Sequence, residues 1–176
     1  MILLMGISGS GKGTQGALLA EKQGMRVIST GELLRTYGSE EQHKRMATGI
    51  FLADEEVTDL LDKALNELPD QNAVILDGYP RRISQADWLI EQARKGRFKL
   101  EEVFQLVISR AAVKARLLDR ARPDDHDSAI EGRFNEYEKG TVPVLEHLRE
   151  AGVPVIDING EQSVEAVHEA IMASFK

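Results

Sequence analysis

Gly6-Ile7-Ser8-Gly9-Ser10-Gly11-Lys12-Gly13-Thr14-Gln15 lies between a short apolar run, Ile2-Leu3-Leu4-Met5, and a helix-like run, Ala17-Leu18-Leu19-Ala20-Glu21-Lys22. Apolar strand, glycine-rich loop, lysine, hydroxyl residue and helix, in that order, make the sequence context of a P-loop. Glycines let such a loop wrap closely, so that successive backbone N–H groups point at phosphate oxygens. The helix that follows aims its positive dipole end at the same anion. Lys12 brings a full charge to the outer phosphates, and Thr14 can support a Mg²⁺ site directly or through water. In the general pattern Ser or Thr directly follows the lysine; here Gly13 intervenes, which leaves open whether Thr14 touches the metal. A glycine-rich turn with no ligand is the bland alternative, and the agreement of glycines, lysine and flanking elements speaks against it.

Outward from this loop, the chain of 176 residues has the length of one domain with room for small inserts. It is 42% hydrophobic and 29% charged, ordinary for a soluble globular protein. A net charge of −7 argues against a general nucleic-acid binder while leaving room for a local basic site. The absence of cysteine excludes disulfides and thiolate catalysis and is compatible with the cytoplasm. No apolar run approaches about 18 residues, so no membrane span is expected. Met1-Ile2-Leu3-Leu4-Met5 lacks a basic leader and runs straight into the loop, so no signal peptide is expected.

Short β-like runs alternate with longer helix-like ones. Strands are expected at 2–5, 26–29, 73–77, 103–108 and 154–158, and helices at about 12–23, 31–37, 39–47, 54–67, 84–95, 111–120, 126–138, 141–151 and 163–174. Asp54-Glu55-Glu56 and Ser163-Val164-Glu165-Ala166 read as helix starts, and Gly24, Gly96 and Gly152 as helix stops. The alternation predicts an α/β fold, a P-loop three-layer sandwich with a five-stranded parallel sheet flanked by helices. In such folds ligands bind beyond the carboxyl ends of the strands, and polar residues cluster at those points.

After the second strand stands Ser29-Thr30-Gly31-Glu32-Leu33-Leu34-Arg35. Its hydroxyls can cap a helix, or Thr30 and Arg35 can contact a second nucleotide. After the third stands Asp77-Gly78-Tyr79-Pro80-Arg81-Arg82-Ile83-Ser84-Gln85. Asp77 sits where P-loop enzymes hold the Mg²⁺ shell, Arg81 offers a planar fork for phosphate, and Gln85 offers a donor and an acceptor for a base edge. The competing reading is a strand–turn–helix with a solvated arginine pair. After the fourth come Arg110, Arg116, Arg120, Arg122 and Arg133, interleaved with Asp124, Asp125 and Asp127. These arginines are either clamps on a transferring phosphoryl group or members of a surface charge network, and spacing alone does not decide. His43, His126, His147 and His168 lack ligand-like spacing and are expected mostly on polar helix faces; Trp88 is expected to pack a helix, and Glu101-Glu102 to be a solvated approach to a strand.

Taken together, these motifs resemble the adenylate kinase family of nucleoside monophosphate kinases over nearly the whole chain. The resemblance rests on residues 6–15, on Ile28 to Arg35, on Gly49-Ile50-Phe51-Leu52-Ala53-Asp54-Glu55-Glu56-Val57, on Leu76 to Arg81 with Gln85-Ala86-Asp87, and on Arg122-Pro123-Asp124-Asp125 with Arg133 and Tyr137. It implies that Gly9, Ser10, Gly11, Lys12, Gly13 and Thr14 cradle the ATP phosphates. Arg116 would stack on the ATP adenine, with Gly160 beside it. Thr30, Gly31, Arg35, Gly78, Arg81 and Gln85 would hold AMP, with main chain near Phe51 and Leu52 flanking its base. Arg120, Arg122 and Arg133 would join Lys12 and Arg81 in stabilising the phosphoryl group in flight, and Asp77 would order the water shell of Mg²⁺. Residues 30–59 would form an inserted monophosphate-binding helical subdomain within a single core domain, 1–176. A cytoplasmic monomer working on ATP, AMP and ADP is the implied setting, in nucleotide biosynthesis.

The chain departs from the family's pattern at several points. Ser8 stands where members often have Pro, Ile50-Phe51-Leu52 replaces the usual segment, Arg82 replaces a Thr or small polar residue, and Gln162 stands where some have Lys. Only Ala121 separates Arg120 from Arg122, where relatives insert a lid; residues 120–122 are thus a minimal lid, and leakage of phosphoryl groups to water is an expected consequence. The favoured reading is reversible transfer, ATP + AMP to 2 ADP. The alternatives are a kinase for UMP, CMP or dAMP, a nucleotide-binding regulatory module with weak or no turnover, and a small-metabolite kinase of the shikimate or gluconate kind.

Overall fold

Leu3 and Met5 point to one face of a sheet and Ile2 and Leu4 to the other, as the twofold period of a strand requires; both sets are buried. β1 (Ile2–Met5) is therefore covered on both sides and takes the centre of a parallel sheet. The other strands are β2 (Arg26–Ser29), β3 (Val74–Asp77), β4 (Glu102–Val107) and β5 (Val155–Asn159), in the order β2-β3-β1-β4-β5, all parallel. The computed structural model describes residues 1–47, 53–120 and 127–175, and within these the side chains of all but residues 45–47, 120, 128 and 129.

The helices are α1 (Lys12–Gln23), α2 (Thr30–Tyr37), α3 (Glu40–Ala47), α4 (Asp54–Asn66), α5 (Ile83–Arg94), α6 (Arg110–Arg120), α7 (Asp127–Glu136), α8 (Val142–Glu150) and α9 (Val164–Ser174). One core layer joins Leu3, Met5, Val74, Leu76 and Val103 to Leu61 and Leu65 of α4, Leu89 of α5, and Leu145 and Leu148 of α8. The opposite layer joins Ile2, Leu4, Ile75, Phe104 and Ile158 to Leu19 of α1 and to Val167 and Ile171 of α9. A third cluster, Val113 and Leu117 of α6 with Ile130 and Phe134 of α7, closes on Ile7 of the glycine-rich loop. The loop is thus clamped from outside the sheet as well as by the strand beneath it.

Several expectations hold in atomic detail. Asp54, Glu55 and Glu56 occupy the first turn of α4, where Glu56 Oε2 accepts the Ala53 N–H at 2.8 Å. Ser163 caps α9 by accepting the Ala166 N–H at 3.2 Å. Others change. The helices expected at 126–138 and 141–151 run on into one another through a π-helical turn, Tyr137–Thr141. Pro143 stands two residues beyond that turn and has no N–H to donate. The wider turn, in which the Val142 N–H reaches the Tyr137 carbonyl, lets the helix pass Gly140 and Pro143 without ending. Glu102 is buried rather than solvated, because β4 starts at that residue, in register with Ile2 of the central strand. His168 is buried as well, on the inner face of α9, whereas His43 reaches the Leu34 carbonyl and His147 pairs with Asp87. Trp88 packs edge-on to Tyr79, as a helix-packing residue should. No helix among the described residues is long and apolar enough to cross a membrane.

Candidate functional site

All five strands run the same way, so their carboxyl ends lie along one edge. The glycine-rich loop leaves β1 there with Gly6, Gly9 and Gly11 at φ of +141°, +89° and +104°, values side-chain-bearing residues rarely adopt. Gly11 caps α1, so the helix N-terminus opens directly on the loop, with Gly13 and Thr14 exposed on its first turn. Lys12 lies across the loop, and its ammonium donates to the Gly6 carbonyl at 2.7 Å and the Ile7 carbonyl at 2.9 Å. Ser10 is buried, and its hydroxyl has no hydrogen-bond partner among the described residues. Arg116, on α6, reaches the Ser10 carbonyl at 3.4 Å. Gly160 continues the edge of β5 by donating its N–H to the Val107 carbonyl; a Cβ there would lie 3.4 Å from the Ser10 carbonyl. Loop, Arg116 and Gly160 therefore meet at one place. Glu161 fastens that place by accepting the Ser109 N–H at 2.7 Å; the Ser109 hydroxyl first, then this N–H, with Arg116 nearby, hold its carboxyl below the usual carboxylate range.

A second group gathers beside it, at the ends of β2 and β3. Ser29 and Asp77 are register partners there. Ser29 precedes α2 without a side-chain cap bond, and the Thr30 hydroxyl crosses instead to the Gly78 carbonyl at 3.0 Å. The helix-capping reading of these hydroxyls therefore fails. Arg81 donates its Nε–H to the same carbonyl at 2.8 Å. A Cβ on Gly78 would lie 3.0 Å from the Thr30 hydroxyl and 3.1 Å from Arg81, and Gly78 has a φ of +83°, so the junction of these groups requires glycine. Gln85, buried on α5, accepts the Arg81 N–H at 2.8 Å and donates to Asp54 at 3.2 Å. Arg35 folds back along α2 over Gly31.

Arg81 lies in the cleft between these groups. Confinement among protein atoms pulls its guanidinium below the ordinary value; Asp77 opposes that shift, and the like charges of Arg82 and Arg133 add to it. Arg81 stays a cation. The structure thus brings the α7 arginine, Arg133, to the Arg81 side of the site. Phe51, Leu52 and Arg122 lie outside the described residues, as does the side chain of Arg120, and with them the expected lid. Arg110 leaves the series of site arginines: it lies over the Phe134 ring and pairs with Glu131 and Glu138. Asp127 pairs with Lys114.

Three features escaped sequence reading. Asp54 was legible only as a helix-start acid, yet it holds Gln85 at 3.2 Å and the Ser84 hydroxyl at 2.5 Å. Tyr79 is buried and donates to or accepts from Thr58 at 2.9 Å, which ties α4 to the Arg81 loop; burial pushes its phenol up. Arg82 pairs with Glu136 at 2.7 Å and lies against Gly140 of the π turn. The sequence signal for that contact is the pairing of an unusually large residue with a glycine inside a helix.

A phosphate-binding loop and an arginine-lined second cleft on the carboxyl edge of one parallel sheet define an enzyme of the P-loop phosphotransferase class. Comparison with known proteins gives the family. The profile described as "Adenylate kinase" matches residues 4–153. Among curated relatives, adenylate kinase of Corynebacterium urealyticum is 33% identical over 98% of this chain and 97% of its own. That of Nocardia farcinica is 35% identical over 96% and 94%, and that of Mycobacterium bovis 37% identical over 85% and 86%. The chain belongs to the adenylate kinase family and is a nucleotide-binding kinase, a phosphotransferase.

Proposed function

We propose that the two halves of this cleft hold two nucleotides phosphate to phosphate, MgATP at the glycine-rich loop and AMP at the ends of β2 and β3, and that phosphoryl transfer between them yields two ADP. One observation carries the assignment of sites: Thr30, Gly78, Arg81 and Gln85 converge beside the loop that bears Lys12, on the same edge of the sheet. In this reading Gly9 to Thr14 cradle the donor phosphates, Lys12 moves from its loop carbonyls to the transferring group, and Arg116 and Gly160 bound the donor base. Arg35 and Arg81 hold the acceptor phosphate, and Thr30 and Gln85 face its nucleoside, with the main chain at Phe51 and Leu52 beyond. Arg120, Arg122 and Arg133 add charge where it develops. Catalysis rests on alignment and charge stabilisation, with no covalent enzyme intermediate.

Mg²⁺ fits the oxygen donors available. Asp77 supplies a carboxylate, Thr14 a hydroxyl, and no group of three carboxylate or histidine residues able to cage a metal occurs among the described residues. Such a donor set suits an ion held mainly by phosphates and water. Bound there, Mg²⁺ would neutralise charge on the donor phosphates. Residues 30–59 are read as a helical flap that closes over AMP, and the enzyme as a cytoplasmic monomer.

A coupled assay of ADP formation from ATP tests this reading, with AMP, dAMP, UMP, CMP or no acceptor. AMP should give the highest kcat/KM. A preference for UMP or CMP would reassign the acceptor, and ADP formed without any monophosphate would measure loss to water. Tight nucleotide binding without turnover would make the chain a binding module.

A further inference from the structure

The Gln85 amide is held from two sides. Its oxygen accepts the Arg81 backbone N–H at 2.8 Å, and its nitrogen donates to Asp54 Oδ1 at 3.2 Å. The identity of the two ends follows from their partners. A backbone N–H can only donate and a carboxylate can only accept, so the amide has one permitted orientation. Turning it over would set NH₂ against N–H and carbonyl against carboxylate, with Gln85 only 5% exposed and water unable to relieve either contact. After these two bonds the side chain keeps one N–H and one oxygen lone pair.

We infer that Asp54, at the start of α4, fixes the Gln85 amide in the orientation that reads a base offering an amino donor beside a ring-nitrogen acceptor, and so rejects bases of the opposite polarity. The inference rests on the proposal that Gln85 faces the acceptor base. Adenine presents an exocyclic N–H donor and the N1 acceptor. Hypoxanthine, of nearly the same shape, presents a carbonyl acceptor and an N1–H donor. With the phosphate fixed by arginines, a purine has one seat, and only an inverted amide would pair with hypoxanthine. Asp54 belongs to the segment that closes the monophosphate subdomain, so the discriminating contact is completed by the flap rather than by the core alone. Ser84 donates to the other oxygen of the same carboxylate at 2.5 Å, which leaves Oδ1 to Gln85.

The experiment compares kcat/KM for AMP and for inosine monophosphate in the wild type, Asp54→Asn, Ser84→Ala and Gln85→Ala. Asn keeps the shape of Asp but can present either an acceptor or a donor, so it removes the carboxylate's half of the restriction without opening a cavity and leaves the Arg81 N–H alone to orient the amide. The wild type should prefer AMP. Asp54→Asn should reduce the AMP-to-IMP ratio by about tenfold, the scale of one hydrogen bond to a charged group. Ser84→Ala should leave the ratio unchanged, because the Gln85 contact survives. Gln85→Ala should abolish most of the ratio. If Gln85→Ala abolishes the ratio while Asp54→Asn retains it, Asp54 has no part in selection, although Gln85 still reads the base. An unchanged ratio in Gln85→Ala would overturn the base-reading role itself. A Ser84→Ala loss equal to that of Asp54→Asn would mean that flap docking, not amide orientation, sets the preference.

Discussion

Gly140→Ala places one methyl group where the structure has least room for it. A Cβ at that position would lie 2.2 Å from Arg82 Nη1 and 3.0 Å from the Arg81 carbonyl. The guanidinium can swing away, and to do so it must leave Glu136, now 2.7 Å distant. Both partners are about one-third exposed, 36% and 38%, so the pair contributes no more than about 1 kcal/mol. Against that loss, Ala in a helical position gains about 0.5–1 kcal/mol over Gly. The two terms offset one another, and the melting temperature should move by no more than about 4 °C. Activity should respond differently. The Arg81 carbonyl must give by a few tenths of an ångström, and Arg82 no longer fastens that loop to the helix bearing Arg133. A misplacement of about 1 Å in a positioning group costs up to about a hundredfold in rate, so kcat/KM for AMP should fall about tenfold or more. Thermal unfolding and the coupled ADP assay, run on the same preparation, separate the two effects. Removing the obstructing guanidinium supplies the decisive comparison: Gly140→Ala added to Arg82→Thr should cost much less than Gly140→Ala added to the wild type. Wild-type kcat/KM in Gly140→Ala, or equal losses in both backgrounds, would refute the steric argument.

Two other outcomes can be measured directly. Lys12→Ala should lower kcat by about a hundredfold to a thousandfold, the scale of losing one charge-stabilising donor; full turnover in the coupled assay would remove Lys12 from the proposed site. His168 is buried with neither ring nitrogen hydrogen-bonded among the described residues, and burial, assisted by Lys22 and opposed by Glu169, depresses its pKa below the ordinary 6.5. Above that value the ring is neutral folded and unfolded, and stability does not depend on it. Below it the unfolded chain takes up a proton that the folded chain resists, so stability falls as pH falls. His168→Leu should therefore stabilise by about 1 kcal/mol at neutral pH and by more at pH 5, read from urea unfolding; parallel pH curves for the two proteins would contradict this.

The sheet was legible because its strands bury both faces: Val74-Ile75-Leu76 is wholly apolar and Val103 to Leu106 is apolar but for Gln105, so neither shows the polar stripe of a surface helix. The loop at residues 6–15 was legible because phosphate chemistry demands particular residues at particular spacings. What escaped were contacts between residues far apart in sequence with no motif of their own. Gly140 reads as a helix break until Arg82, 58 positions earlier, is seen to fill the space its missing side chain leaves. Asp54 reads as a helix-start acid because one carboxylate can serve the helix dipole and an amide 31 residues away at once. The π turn escaped for a related reason, since Gly and Pro within four residues signal a stop unless the surrounding packing holds the helix together.

The arginines show most clearly where spacing ends and structure begins, for a protein with a net charge of −7 carries many that serve only the fold. Arg97 pairs with Asp62, Arg110 with Glu131 and Glu138, Arg149 with Asp157, and Arg82 with Glu136. Each of these charges is met by a carboxylate. Arg81 and Arg116 are oriented differently: their hydrogen bonds run to the main-chain carbonyls of Gly78 and Ser10. A carbonyl fixes the direction of a guanidinium without cancelling its charge, and a carboxylate does both. An arginine hydrogen-bonded to neutral acceptors on the edge of the sheet keeps more of its attraction for an incoming anion than one paired directly with a carboxylate, and five N–H donors in a rigid fork leave enough of them to meet phosphate oxygens. The same residue type thus serves two purposes in one chain, and what separates them is the charge of the acceptor that holds it rather than the spacing between arginines.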